Sequence, residues 1–279
     1  MKLIDMHVHT TASDGVFTPI EVINYSLSKQ LSGIAVTDHD TVGGIDEAIR
    51  HARDLKDYVV VPGIELSTDY YGEEIHILGY FINHKSEKLN EVLDKLKKAR
   101  VVRAKKIVDL LNMKGIKISF EEVEKVSGVD VIGRPHIARI LTSKGYSKSV
   151  PEAFREFLIK GSKAYIPRDK IGVVEAIKLI KAIHGKVVLA HPGLIKEKKL
   201  INKILEHDFD GIETYYPGHS TEDVSNFEKL AKEYNLICTG GSDFHQIPTE
   251  EDIHEDLGSC SLLLNRIRKW KNEFELRKE

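Results

Sequence analysis

Two histidines two residues apart, His7 and His9, stand at the end of an apolar run, Leu3, Ile4, Met6 and Val8, that reads as a short strand. Side chains two apart on a strand share a face, so the two imidazoles converge. Converging neutral imidazoles form half of a transition-metal site. The pattern then recurs. Gly33 to Thr37 runs into Asp38, His39 and Asp40, and Val59 to Ile64 runs into Glu65. Glu74-Ile75 leads into His76, Lys186 to Ala190 into His191, and Leu236 to Thr239 into Asp243 and His245. Asp14, in Ser13-Asp14-Gly15, adds a carboxylate soon after His9. A single histidine after a strand is bland, since it can cap a helix or pack under a loop. A series of strand ends bearing His, Asp or Glu is not.

Imidazole and carboxylate without thiolate suit Mn, Fe or Zn and disfavour a structural zinc finger. Nine candidates, His7, His9, Asp14, His39, Glu65, His76, His191, Asp243 and His245, exceed what one four- to six-coordinate ion can use. Two or three divalent transition-metal ions are therefore expected, with Glu65 bridging two of them. Ions about 3.5–4 Å apart can share a hydroxide at neutral pH and clamp the oxygens of a phosphoryl group.

These residues need a frame. Runs near 2–8, 33–37, 59–64, 75–82, 186–190, 211–215 and 236–239 give seven strands, alternating with helix-length segments in two blocks. Helices are expected after Thr18-Pro19, over 41–55, over 173–183 and over 227–234. Repeated β-then-α with short connections implies an α/β fold with a parallel sheet or barrel, whose chemistry gathers at the C-terminal strand ends. Between 83 and 165 the pattern turns helical. Leu89, Val92, Leu93, Leu96, Val102, Ile107, Leu110 and Leu111 step mostly by three and four, and Ser119 and Ser149 each precede a Glu at capping-box spacing. Arg134-Pro135-His136 opens another helix. The expected organisation is a first barrel part over 1–82, a helical insertion over 83–165 capping the mouth, and a second barrel part with a tail over 166–279. Ser261 to Leu264 can add a strand and 265–279 a terminal helix.

A chain of 279 residues with 41% hydrophobic and 30% charged residues has the composition of a globular enzyme. Lys+Arg 41 against Asp+Glu 43 leaves a net charge of −2, so no global field draws long duplex nucleic acid. Two cysteines without CxxC spacing argue against a disulfide framework. The first residues enter a strand with no leader pattern, and no apolar run nears the ~20 residues that cross a bilayer. A cytoplasmic protein without membrane partners is expected.

The ordered set His7-Val8-His9-Thr10, Thr37-Asp38-His39-Asp40, Pro62-Gly63-Ile64-Glu65, Ala190-His191-Pro192 and Ser242-Asp243-Phe244-His245 resembles the PHP (polymerase and histidinol phosphatase) metallohydrolases. The resemblance implies a distorted seven-stranded (β/α) TIM-like barrel and three metals. It implies His7, His9, Glu65 and Asp243 for the first ion; Glu65, His76 and His191 for the second; and Asp14, His39 and His245 for the third. Where some branches carry His, this chain has Asp14. Glu65, Asp243 and His191 are taken as the catalytic group. Arg134-Pro135-His136 and Lys163 to Pro167 look like the branch that hydrolyses nucleoside 3′,5′-bisphosphates, some members of which trim short RNA from the 5′ end.

Arg134 offers a planar fork at a helix start, which suits phosphate, though it can instead pair with a local carboxylate. His136 and Lys163 are further candidates for substrate contact, as is His219 after a strand, while Glu213 reads as structural. The basic run from Lys95 to Lys106 can guide an RNA tail or form a solvated face. The expected substrate is a small phosphorylated molecule, a nucleotide or a short oligoribonucleotide. Competing readings are a histidinol-phosphate phosphatase, which the helical insertion disfavours, and an amidohydrolase acting on C–N bonds. The latter also begins with His-x-His, but no Lys follows the fourth strand to bridge its metals. A non-catalytic PHP-like accessory module is the third alternative, and it has no need to retain all nine candidates.

Overall fold

The computed structural model describes residues 2–128, 131–167, 170–248 and 255–277. The chain begins with β1 (Leu3–Val8), α1 (Pro19–Ser28), β2 (Gly33–Val36), α2 (Ile45–Ala52), β3 (Val59–Tyr70) and β4 (Glu73–Tyr80). Helices α3 (Glu87–Met113), α4 (Phe120–Ser127), α5 (Arg134–Ser143) and α6 (Val150–Ala153) follow, the last running into a π-helical turn over Phe154–Leu158. Then come β5 (Ile171–Gly172), α7 (Val173–Ala182), β6 (Lys186–Leu189), α8 (Lys199–Leu205), β7 (Gly211–Tyr215), α9 (Thr221–Glu233), β8 (Ile237–Gly240), β9 (Leu262–Leu263) and α10 (Arg268–Glu275).

The strands form one sheet in the order β8-β7-β6-β4-β3-β2-β1-β9, with β5 beside β3. It curls until Phe244, just beyond β8, bridges to Val8 of β1; His9 N–H donates to Phe244 O at 2.9 Å. The result is a nearly closed, distorted barrel containing the seven expected strands plus two short ones. It is not all parallel. Tyr71 and Gly72 join β3 to β4 with φ of 52° and 82°, the two positive angles of a tight hairpin turn, so β4 runs against both β3 and β6.

Alternation divides the apolar residues between two faces. Ile34, Val36, Ile64, Leu66, Ile75, Ile77, Val187 and Leu189 pack outward with helix residues such as Val22, Ile23, Ala48, Ile177 and Ile180. Ala35, Val61, Leu78, Tyr80 and Val188 form a separate inner cluster, joined by Trp270 of α10. In β1 the register shifts between Asp5 and Val8, so Ile4 and Met6 join the inner cluster while Val8 joins the outer one. That change of phase falls between Met6 and Val8, where His7 sits.

Helix α3 serves two cores. Leu89, Leu93 and Leu96 pack with the barrel cluster, whereas Ala104, Ile107, Val108 and Leu111 pack with α4, α5 and Phe157 in a cluster of their own. Val102, expected on the apolar stripe, is 51% exposed. The Ser119 capping box forms as expected. At α6, Ser149 accepts from Glu152 N–H, but the Glu152 carboxylate takes the N–H of Lys148 rather than that of Ser149. Helix α2 is shorter than the expected 41–55. Helix α9 starts six residues before Phe227, because Ser220 and Asp223 cap each other's backbone reciprocally. Among the described residues, no helix is long and apolar enough to cross a membrane.

Candidate metal centre

All nine candidate ligands meet at one end of the barrel. Seven follow parallel strands or lie near their ends. Two correct the expectation: Glu65 lies midway along β3, which runs on to Tyr70, and His76 lies inside β4, opposite Ser67 of β3. His76 reaches the same place because β4 is reversed, which brings its first half to the end where its neighbours finish.

Glu65 is at the centre and fully buried. Its Oε2 lies 3.4 Å from His7 Nε2, 3.3 Å from His9 Nε2 and 2.8 Å from His39 Nδ1. Its Oε1 lies 2.9 Å from His76 Nδ1 and 3.0 Å from His191 Nε2. Asp243 Oδ1 is 3.3 Å from His7 Nε2 and 3.0 Å from His9 Nε2. Asp14 Oδ1 is 3.2 Å from His245 Nε2. Ligand atoms converge in three groups: His7, His9, Glu65 and Asp243; His39, Glu65 and His76; and His9, Asp14, His39 and His245.

These groups fit cations. Among the described residues, His7 Nε2, both ring nitrogens of His9, His39 Nδ1, Asp14 Oδ1 and Glu65 Oε2 are buried without a properly aligned hydrogen bond. Complementary atoms stand only 2.8–3.9 Å away, so the lone pairs aim at shared points rather than at each other. Such burial is costly unless a cation sits among them. Burial alone would raise the Glu65 carboxyl, but His39, His76 and His7 hold it well below the usual carboxylate range. Asp14 is likewise raised by burial yet held well down by His245 and His39. Both carboxyls are thus held toward the anionic form by the imidazoles around them.

The backbone is strained where the ligands sit. Asp40, His191 and Asp243 have φ of 54°, 25° and 53°, a region that non-glycine residues seldom occupy. Gly241 permits the close approach of β1, because a Cβ there would overlap His7 Cβ and N. Asp5 locks this corner by accepting from His7 N–H, Ser242 N–H, Ser242 Oγ–H and Gly258 N–H. Asp38 does the same for the loop before Asp14, accepting from Thr10 N–H, Thr10 Oγ1–H and Ser13 Oγ–H.

Above the cluster lies a cavity of about 340 Å³. Arg100, Arg103, Arg134 and Arg139 line it, with Phe154, Pro135 and Leu194 giving apolar wall and Asp14, His39, His76, His191, Asp243 and His245 forming the floor. Arg134 lies 3.5 Å from Glu74 Oε2, and its guanidinium faces the Phe154 ring at 5.8 Å. Arg100 came from the basic run of α3, but it is buried and binds Asp40 Oδ2 at 2.9 Å through Nε. Neither it nor Arg103 stood out from the run in sequence.

The other expected contact residues do not line this cavity. Lys163 is exposed and pairs with Glu156 at 2.8 Å. His219 accepts from Gly193 N–H at 3.0 Å and donates through Nδ1 to Thr214 O at 2.9 Å, so it braces the loop after β6. His136 is buried in α5, where its Nδ1 accepts from Gly133 N–H at 2.9 Å.

Burial first, then Arg139 and Arg100, push His136 down to about 4. Below the ordinary histidine value the unfolded chain binds a proton that the folded one refuses. This contribution therefore weakens as pH falls from about 6.5 to about 4. Asn can accept from Gly133 N–H without titrating. Denaturant unfolding in chelator should thus show the stability of wild type relative to His136→Asn dropping by roughly 3 kcal/mol between pH 7.5 and 4. A constant difference across that range would contradict it.

The PHP domain model matches residues 5–171, more than half of the chain. The chain is 32% identical over 253 residues to the 5′-3′ exoribonuclease Rnm of Escherichia coli K12, covering 88% of this chain and 85% of that protein. It is 31% identical over 251 residues to the 3′,5′-nucleoside bisphosphate phosphatase of Chromobacterium violaceum, covering 88% of each. A solved structure from Bifidobacterium adolescentis, described as a candidate metal-dependent phosphoesterase, superposes with a TM-score of 0.88 at 27% identity over 95% of this chain and 94% of that one. The chain belongs to the PHP domain family.

Proposed function

We propose that this chain is a metal-dependent phosphoesterase that releases phosphate from nucleotides, with nucleoside 3′,5′-bisphosphates as substrates and short RNA trimmed from its 5′ end. One observation carries the reading. A buried carboxylate, Glu65, turns its two oxygens to five imidazoles, three of which, His39, His76 and His191, reach the floor of a cavity lined by four arginines. The similarity to a bisphosphate phosphatase and to a 5′-3′ exoribonuclease supports the same substrates.

Two or three ions, Mn first and otherwise Fe or Zn, would be held by the sets expected from sequence. These are His7, His9, Glu65 and Asp243; then Glu65, His76 and His191; then Asp14, His39 and His245. Bound there, such ions supply Lewis acidity toward a phosphoryl oxygen and make an attacking water available at neutral pH. The chain's own residues do the rest. Glu65, kept anionic among imidazoles, and Asp243, beside His7 and His9, fix the position of the floor. The arginines draw a polyanion into the cavity, and Arg134 holds the phosphate that is not cleaved. Phe154 offers a flat apolar face to a nucleobase. The helices between β4 and β5 act as a cap that supplies all four arginines. Free Cys238 and Cys260 fit a reducing, cytoplasmic setting.

A phosphate-release panel tests the reading. A nucleoside 3′,5′-bisphosphate should give the highest kcat/KM, above nucleoside monophosphates, histidinol phosphate and p-nitrophenyl phosphate. Preference for histidinol phosphate with no turnover of nucleotides would overturn it.

A further inference from the structure

Glu213 lies in the middle of β7, fully buried beside the cluster but outside the three convergent groups. Ile212 packs outward, so alternation turns Glu213 inward. Its Oε1 and Oε2 lie 3.0 Å and 3.2 Å from His7 Nδ1, and Oε2 also accepts the backbone N–H of His191 at 2.8 Å. A carboxylate only accepts, so His7 carries a proton on Nδ1, and with a cation between Nε2 and the Glu65 and Asp243 carboxylates the Nε2 lone pair would be the one left to bind it. The second bond holds His191 at the residue where φ is 25° and ψ is 60°, from which its Nε2 reaches Glu65 Oε1.

We infer that Glu213 is a positioning residue that prepares candidate ligands of two different ions with one side chain. It fixes the tautomer and ring orientation of His7 and pins the backbone of His191. The inference rests on the metal centre proposed above. Partners of this kind, beyond the ligands themselves, typically change metal affinity by about 10–100-fold.

The chemistry distinguishes this role from packing. Glu213→Gln keeps the size and shape of the side chain. An amide, however, must turn its NH₂ either toward His191 N–H, leaving two donors face to face, or toward His7. In the second case the His7 proton moves to Nε2, the atom needed for the metal. A packing role would be met equally well by Gln.

The experiment measures Zn²⁺ affinity of the full chain by chelator competition, for wild type and Glu213→Gln. Circular dichroism and thermal unfolding of the metal-free forms run alongside. Glu213→Gln should remain folded and bind about 10–100-fold more weakly. Equal affinity in the two proteins would overturn the role of Glu213 while leaving the metal centre standing. Failure of wild type to bind would overturn both. A further measurement needs no variant. In Zn²⁺-loaded wild type labelled with ¹⁵N-histidine, His7 should show a slowly exchanging proton on Nδ1 and none on Nε2. The opposite tautomer would overturn the proposal even if Glu213→Gln does not fold.

Discussion

Replacing Glu65 by Gln is expected to lower phosphate release at least ~10³-fold, since a metal's Lewis acidity is worth several kcal/mol of transition-state stabilisation. No other single change should cost as much. Glu65 alone turns one oxygen to His7, His9 and His39 and the other to His76 and His191, so its charge serves two groups at once. Gln removes that charge and sets an NH₂ among imidazole nitrogens. Metal content should fall with activity, while the outer cluster around Ile64 and Leu66 keeps the barrel folded. Asp14→Ala should cost less, because Asp14 belongs to only one convergent group. Turnover and elemental analysis of the two variants decide the matter. Near wild-type turnover in Glu65→Gln would show that the two groups are not joined through this carboxylate.

Arg134→Ala should act on the substrate and leave metal content unchanged. A charge-assisted hydrogen bond to phosphate is worth roughly 1.5–3 kcal/mol, so kcat/KM for a nucleoside 3′,5′-bisphosphate should fall about 10- to 100-fold. The contacts Arg134 makes without substrate are long. Its Nη2 stands 3.5 Å from Glu74, which Lys170 also approaches at 3.0 Å, and its Nη1 donates to Leu158 O at 3.4 Å, so a phosphate in the cavity can compete for the guanidinium. With p-nitrophenyl phosphate, which has only the phosphate being cleaved, the loss should be small. Equal losses on both substrates would place Arg134 at the reacting phosphate. No loss on either would leave it a surface partner of Glu74.

Most of the candidate ligands are legible because they follow a recognisable apolar run, and a run of Val, Ile and Leu ending in His, Asp or Glu is a local signal; Asp14 stands out only by its nearness to His9. His76 was found for the same reason but placed wrongly. Its strand is reversed by the two positive φ angles at Tyr71 and Gly72, and neither residue is the Asn or Asp that usually announces such a turn. Glu213 and Asp5 were harder. Each is a carboxylate inside an apolar strand, and that mismatch was the available signal, yet its meaning depends on partners about 200 residues away. Arg100 was hidden among the lysines of α3, where composition suggests a solvated face. Only the fold shows that it turns from that face onto Asp40. Lys163 shows the opposite error, since a basic residue near a phosphate-like motif found its acid, Glu156, seven residues away in the chain.

The most direct test of a metal-dependent phosphoesterase is one protein measured in three states for both ions and phosphate release. Protein purified without added metal should carry two or three Mn, Fe or Zn ions per chain and hydrolyse a nucleoside 3′,5′-bisphosphate. Dialysis against chelator should remove both the ions and the activity, and adding back Mn²⁺, Fe²⁺ or Zn²⁺ should restore them together. Full activity in ion-free protein, or bound ions with no hydrolysis of any phosphate ester, would contradict the account.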